Sequence, residues 1–212
     1  SISSRQKEYI YYVTKKLLDD TVRLWAEWHG EKAISDQRDA ELIENDEITI
    51  AGGEDGFAEL LRNPNMYQKY KTQNQVLEEI IDNGLCNIAN EVGTQKIGNP
   101  YREQDVYAVE SWYSFNSLDD YENNIISIEN SYLGGPAATR KSETSMSAYV
   151  ASKNSDLDAE ITKAISDARK AIRDIPAPFR DQVTKGKVAT IDTAMDKLAE
   201  LNKSLKKIKS VL

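Results

Sequence analysis

Asp120 and Asn124 stand four residues apart in ESWYSFNSLDDYENNIISIENSYLGG (residues 110–135), with Ser114 and Asn116 just upstream. On a helix that spacing puts the carboxylate and the amide on one face. Carboxylate, amide and hydroxyl groups are oxygen ligands, which suit a hard cation better than a soft one. The same segment holds Ser111, Ser117, Asn123, Ser127 and Asn130. These are poor helix formers, so their concentration calls for a positional or chemical reason. Glu91, in IANEVG, is the other carboxylate in mainly apolar surroundings. It reads either as a buried ligand or as an exposed last-turn residue.

Little other chemistry is available. His29 is the one histidine, in AEWHGEK, at a helix end where an imidazole meets the last carbonyls. A single histidine cannot build a two-histidine zinc site, and there is no HExxH. Cys86 is the one cysteine, so neither an internal disulfide nor a cysteine metal cluster can form, and a buried small apolar role is expected. Glu78-Glu79 and Asp156 with Asp158 fit helix starts or solvated faces, as does Asp119 beside Asp120. GEDGF and AGG lack the Lys-Ser/Thr of a phosphate loop. The basic end KSLKKIKSVL fits a helix C-terminus, with a membrane-surface role as its alternative.

Composition narrows the partners. The 212 residues carry a net charge of -8 and are 40% hydrophobic. That charge argues against a nucleic-acid partner, which needs a basic footprint. No apolar run reaches the length of a transmembrane segment.

The elements that must position these residues are helical. Ile10, Val13, Leu17, Leu18, Val22 and Trp25 recur at three- and four-residue steps, predicting an amphipathic helix over 4–28 before Gly30. The pattern lapses over 31–52, where Ile48 and Ile50 alternate between acidic residues, as in a connector or short strand. A short helix is expected over 55–62, stopped by Asn63-Pro64. A long helix follows over about 66–92, with Gly84 and Ala89 allowing another helix to come close, and Gly93, Gly98, Asn99 and Pro100 read as a loop. The segment of interest is expected to be helical from Leu118 to Tyr132, with Asn116 or Ser117 as cap. Further helices are expected over 142–152, from Asn154 to Ile175, briefly over 179–183, and from Lys187 to the end. Four or more long antiparallel helices joined by modest loops make an all-α helix bundle.

At this point the chain resembles the imelysin-like family. The family's aromatic-Ser-x-x-x-Leu-x-Asp-aromatic-x-x-Asn-Ile run is matched by Tyr113, Ser114, Leu118, Asp120, Tyr121, Asn124 and Ile125. Asn130, Tyr132, Leu133 and Gly134 look like its Asn-x-Tyr-x-Gly exit, and residues 157–183 look like its next helix and Pro-Phe turn. KEYIYYVTKKLLDD and LWAEW resemble the family's post-motif helix. The family's GxHxxE signature, a proposed metal site, has no match: Glu27 precedes His29 by two and Lys32 follows it by three. Phe115 stands where many members carry histidine.

The resemblance implies two bundle-like halves, export to the bacterial cell envelope, often with a lipid anchor, and association with iron uptake. On that basis residues 1–212 are expected to be the C-terminal portion of a longer protein, with 1–65 packing against a missing N-terminal half and 66–212 forming the main bundle. The implied function is non-catalytic binding of iron, another divalent cation or an iron-bearing ligand, with envelope iron-uptake proteins as partners and a periplasmic or outer-surface location. Ser114, Asn116, Asp120 and Asn124 are the expected ligand or interface residues, and Asp120 and Glu91 the expected metal candidates. A metallopeptidase and a structural or partner-binding module are the alternatives.

Overall fold

The computed structural model describes residues 2–45, 55–64 and 70–212, and every regular element among them is helical. The contacts divide the chain into two units, Ser1–Val76 and Leu77–Leu212. That division falls later than the expected break after residue 65.

The first unit opens with α1 (Ser4–His29) on a capping box. Gln6 N donates to Ser3 Oγ (3.3 Å) and Ser3 N donates to Gln6 Oε1 (2.8 Å), so two first-turn donors are satisfied reciprocally. The helix ends at Gly30, with φ 86°. Only Val22 of the expected inward stripe is buried, joined by Ala26; Ile10, Val13, Leu17, Leu18 and Trp25 are exposed. A second helix, α2 (Gln37–Glu44), is capped by Asp36 and buries no residue fully. At eight residues, with Leu42 and Ile43 its only large apolar side chains, it is too short to show a repeating stripe, which is why the sequence pattern misses it. Ile48 and Ile50, the expected connector or strand, lie outside the described residues. Next, α3 (Gly56–Arg62) begins at Gly56 with φ 72°. A Cβ there would lie 2.2 Å from Gly30 N, so this junction of α1 and α3 admits only glycine.

α4 (Gln73–Glu79) spans the division between the units. It continues through a π-helical stretch, Ile80–Cys86, into α5 (Asn87–Glu91), then through a second, Val92–Gly98, into α6 (Asn99–Glu103). The expected loop at Gly93–Pro100 is therefore helix. Pro100 is tolerated because it occupies the start of α6, where a missing N–H costs least, after wider winding has shifted the backbone bonding. The close-approach glycine also differs from expectation. Gly84 has open space around it, whereas a Cβ on Gly93 would lie 3.1 Å from Leu198 Cβ.

The second unit adds α7 (Ser117–Leu133), α8 (Met146–Lys153), α9 (Ser155–Arg173), α10 (Arg180–Val183) and α11 (Ala189–Lys206). α9 packs on α11 and α7, while the helix running over 77–103 packs on those same two, closing a ring of four long helices. Its core includes Ile81, Val92, Tyr121, Ile125, Ile161, Ile172, Ile191 and Leu198. Burying each such aliphatic side chain contributes about 1.5–3 kcal/mol. Cys86 lies in this core, and burial pushes its thiol above the ordinary range, as suits a packing residue. Asn154 caps α9 by accepting from Leu157 N (3.0 Å), and Gly134 ends α7 at φ 90°. Among the described residues no helix is long and apolar enough to cross a membrane.

Candidate functional site

The polar segment forms a tight loop ahead of α7. Two non-glycine residues within it take left-handed backbone conformations, Ser111 (φ 57°) and Phe115 (φ 61°). Such backbone costs free energy and persists only where surrounding contacts hold it. Asp120 supplies two of those contacts. Its Oδ2 accepts from Ser111 Oγ and its Oδ1 from Asn116 Nδ2 (2.7 Å). The first-turn carboxylate thus staples the loop to the helix it precedes. Ser117, almost fully buried, donates to the Glu110 carbonyl and closes the loop from below.

The other anchor comes from α10. Arg180 lies over the Trp112 ring (4.4 Å to the centroid) and the Phe115 ring (3.7 Å), and its Nη1 donates to the Trp112 carbonyl (2.9 Å). Each contact of a guanidinium with a π face is favourable by about 0.5–2 kcal/mol, depending on its desolvation. Around it Tyr107 stacks on Trp112 at 5.7 Å and Tyr113 meets Trp112 edge-on at 4.9 Å. Tyr113 and Tyr107 are 89% and 81% exposed, so the loop displays its aromatics outward. Trp112 Nε1 is buried without a hydrogen-bond partner among the described residues.

Below the loop, Tyr121 is fully buried, edge-on to Phe179, and donates its hydroxyl to the Lys96 carbonyl (3.1 Å). Burial, followed by the nearby Glu110 charge, raises its phenol well above the usual range, so it stays a donor at any physiological pH. Lys96 sits in the second π-helical stretch. The first shows a parallel arrangement, where the Cys86 carbonyl accepts from Asn202 Nδ2 (3.3 Å). In both stretches, a side chain from another helix supports a carbonyl.

The expected site residues fall into different roles. Asn116 and Asp120 meet, Nδ2 to Oδ1. Ser114 does not reach Asp120; it donates to the Ser111 carbonyl (3.2 Å), and Ser111 is the serine on the carboxylate. Asn124 shares the helix face with Asp120, but its amide bonds the Asp120 backbone carbonyl (2.6 Å). Glu91 is neither deeply buried nor in a last turn, since the helix runs on. It is 3.8 Å from Lys96 Nζ, which also pairs with Glu110 (2.9 Å). Asp158 does more than mark a helix start, accepting from Tyr132 Oη (2.8 Å) and Ser147 Oγ (2.7 Å). His29 lies against Trp25, with Nδ1 3.1 Å from its carbonyl, as expected of a helix end. Sequence reasoning missed Arg180. It follows the Pro176-Ala177-Pro178 turn as one ordinary charge among many, and only the fold brings it to Trp112.

Among the described residues no three His, Cys, Asp or Glu side chains are grouped to hold a metal ion. Each Asp120 oxygen accepts one hydrogen bond and keeps lone-pair capacity for another partner. Chemically the arrangement is a preorganised oxygen-bearing wall rimmed by aromatics.

The chain matches the family described as Imelysin, Peptidase M75, over residues 3–205. It is similar to Iron-regulated protein A of Synechococcus elongatus, 30% identical over 144 residues, covering 65% of this chain and 38% of that protein. Among solved structures, an imelysin peptidase from Bacteroides ovatus is 43% identical with a TM-score of 0.68, the match covering 76% of this chain and 46% of that one. A protein from Parabacteroides distasonis described as an iron-regulated protein A precursor is 31% identical with a TM-score of 0.77, over 97% of this chain and 56% of that one. The chain thus spans between 38% and 56% of the length of these relatives.

Proposed function

This chain belongs to the imelysin family, and from that premise we propose that it is part of an exported envelope protein that binds iron, or an iron-bearing ligand, without catalysis. Two relatives are described as iron-regulated proteins, one of them as a precursor, which supports both the link to iron and the export. The observation that carries the site is the stapled loop, in which Asp120, Ser111 and Asn116 are locked together at an aromatic rim. A wall held in advance binds without first having to order itself. Oxygen groups with little histidine nearby suit a hard cation, and iron here is cargo. This chain contributes a wall, and the remaining ligands come from the longer polypeptide or from the chelator around the metal.

The decisive measurement is iron occupancy of the purified protein by metal analysis, with and without Asp120→Ala. Loss of about tenfold in affinity is expected, comparable to losing a supporting partner of a metal site. Unchanged occupancy, with the fold intact by circular dichroism, sinks the role given to Asp120. The description of the Bacteroides ovatus relative as a peptidase keeps hydrolysis as a second reading. Hydrolysis needs a metal with an open position and a base. Peptide cleavage abolished by a chelator would replace the binding reading with that one.

A further inference from the structure

The face of α7 opposite Asp120 meets α9 across an open groove lined by Glu129, Leu133, Thr162, Ser166, Arg169 and Arg173. Its charges do not cancel. Arg169 donates through Nε (3.2 Å) and Nη2 (2.9 Å) to Glu122 and through Nη1 to Glu129. Arg173 Nη1 also bonds Glu122, and Arg140 Nη2 bonds Glu129 (3.1 Å). Three guanidiniums therefore face two carboxylates, a local surplus of positive charge in a chain of net charge -8.

That surplus is not removed by proton exchange near neutral pH. Partial burial works to raise the Glu129 carboxyl, but hydrogen bonds from Arg140 and Arg169 outweigh it and hold it below the ordinary carboxylate value. Burial likewise works to lower Arg169, and its bonds to Glu122 and Glu129 raise it instead. Glu129 thus stays ionised, and the hydrogen bonds from Arg169 to Glu122 and Glu129 hold the guanidinium in place.

The unused donors lie on the same strip of α9. Arg173 is half exposed, and its Nε and Nη2 have no partner among the described residues. Ser166 and Thr162, one and two turns before Arg169, line the groove with hydroxyls that carry no side-chain hydrogen bond among the described residues. Long side chains on a helix lean toward its N-terminus, which turns the Arg173 head toward the Ser166 end of the groove. A guanidinium with an open edge is a fork that matches a carboxylate or phosphate.

We propose that the groove between α7 and α9 binds a small oxyanion, the carboxylate or phosphate group of a small molecule, with the open edge of Arg173 as its fork and Ser166 as its neutral donor. The groove and the loop lie on opposite faces of α7, so failure here leaves the iron reading standing, and the reverse also holds.

The test is calorimetric titration of the protein at low ionic strength with inorganic phosphate, with citrate, and with phosphatidylglycerol vesicles. Saturable binding of either free anion is expected, weakened by about tenfold or more in Arg173→Gln and in Ser166→Asp, since each removes a donor or adds an opposing charge. Lys170→Gln, whose ammonium pairs with Asp174, removes the same charge outside the groove and leaves the affinity unchanged. Ser166 is exposed, so Ser166→Asp keeps the fold even if Arg173→Gln loosens α9. The proposal is overturned if neither anion gives saturable binding, if Ser166→Asp binds as well as the parent, or if only vesicles bind.

Discussion

The two faces of α7 use carboxylates in opposite ways. On one, Asp120 accepts from the neutral donors Ser111 and Asn116 and orders a strained loop. On the other, Glu122 and Glu129 are met by three arginines and join α7 to α9 and to the turn carrying Arg140. A carboxylate bonded by neutral groups keeps its negative charge in the local field, so the loop face can attract a cation. Carboxylates outnumbered by arginines leave a positive field, so the groove face can attract an anion. One helix can therefore present opposite potentials because its side chains diverge, although its sequence carries acids on both sides.

Several substitutions break or sharpen this contrast. The largest effect is expected from removing both groove acids. Glu122→Gln with Glu129→Gln leaves partly buried guanidiniums without counter-charges and should lower stability by about 2–4 kcal/mol in urea unfolding. A loss no greater than that of a surface pair would show the network to be merely superficial. Next comes Asp120→Ala, expected to cost about 1–3 kcal/mol by leaving its donors unmatched. It should also speed limited proteolysis between Ser111 and Asn116, whereas the double glutamine variant should not. Equal protection of the loop in both variants would erase the distinction between the faces.

Acid should act on the groove face. The folded Glu129 value is depressed, so its contribution is fully present above the ordinary carboxylate value and is lost as pH falls through the depressed one. Glu160, held low chiefly by Lys207 and then by Ser204, acts in the same direction between α9 and the chain end. Stability should therefore decline on acidification below the ordinary carboxylate range, and Glu129→Gln should flatten part of that decline. An unchanged acid limb in the variant would remove Glu129 from the account. The smallest expected effect is that of Arg180→Lys. It keeps the charge but loses planar stacking on Trp112 and Phe115, about 0.5–1 kcal/mol, and should change the Trp112 fluorescence.

Much of the fold can be read from periodicity because burial on one helix face repeats every three to four residues. α9 and α11 follow from Ile161, Ile165, Ile172, Ile191, Leu198 and Leu205, and the caps at Asn154 and Gly134 mark boundaries. The helical passage through Gly93 and Pro100 is not legible. Glycine and proline normally signal a break, and here the backbone absorbs them by winding more widely while Tyr121 supports a carbonyl from outside. The stripe of α1 shows the opposite failure, since Ile10, Val13 and Leu17 have the right spacing and remain exposed. Periodicity predicts that a face is apolar, and says nothing of what covers it.

Local order along the chain determined where the acids and amides of α7 stand: Asp120 in the first turn, Asn124 one turn on, Glu122 and Glu129 on the far side. Helical geometry requires no more than the sequence to settle that. Tertiary structure alone decided what each one meets. Ser111 reaches Asp120 in place of Ser114 because the backbone between them turns left-handed. Arg180 comes to Trp112 from 68 residues away, and Arg169 to Glu122 from 47. Hydrogen bonds and ion pairs act over a few ångströms. Their partners are therefore chosen by packing, and sequence spacing can only nominate them.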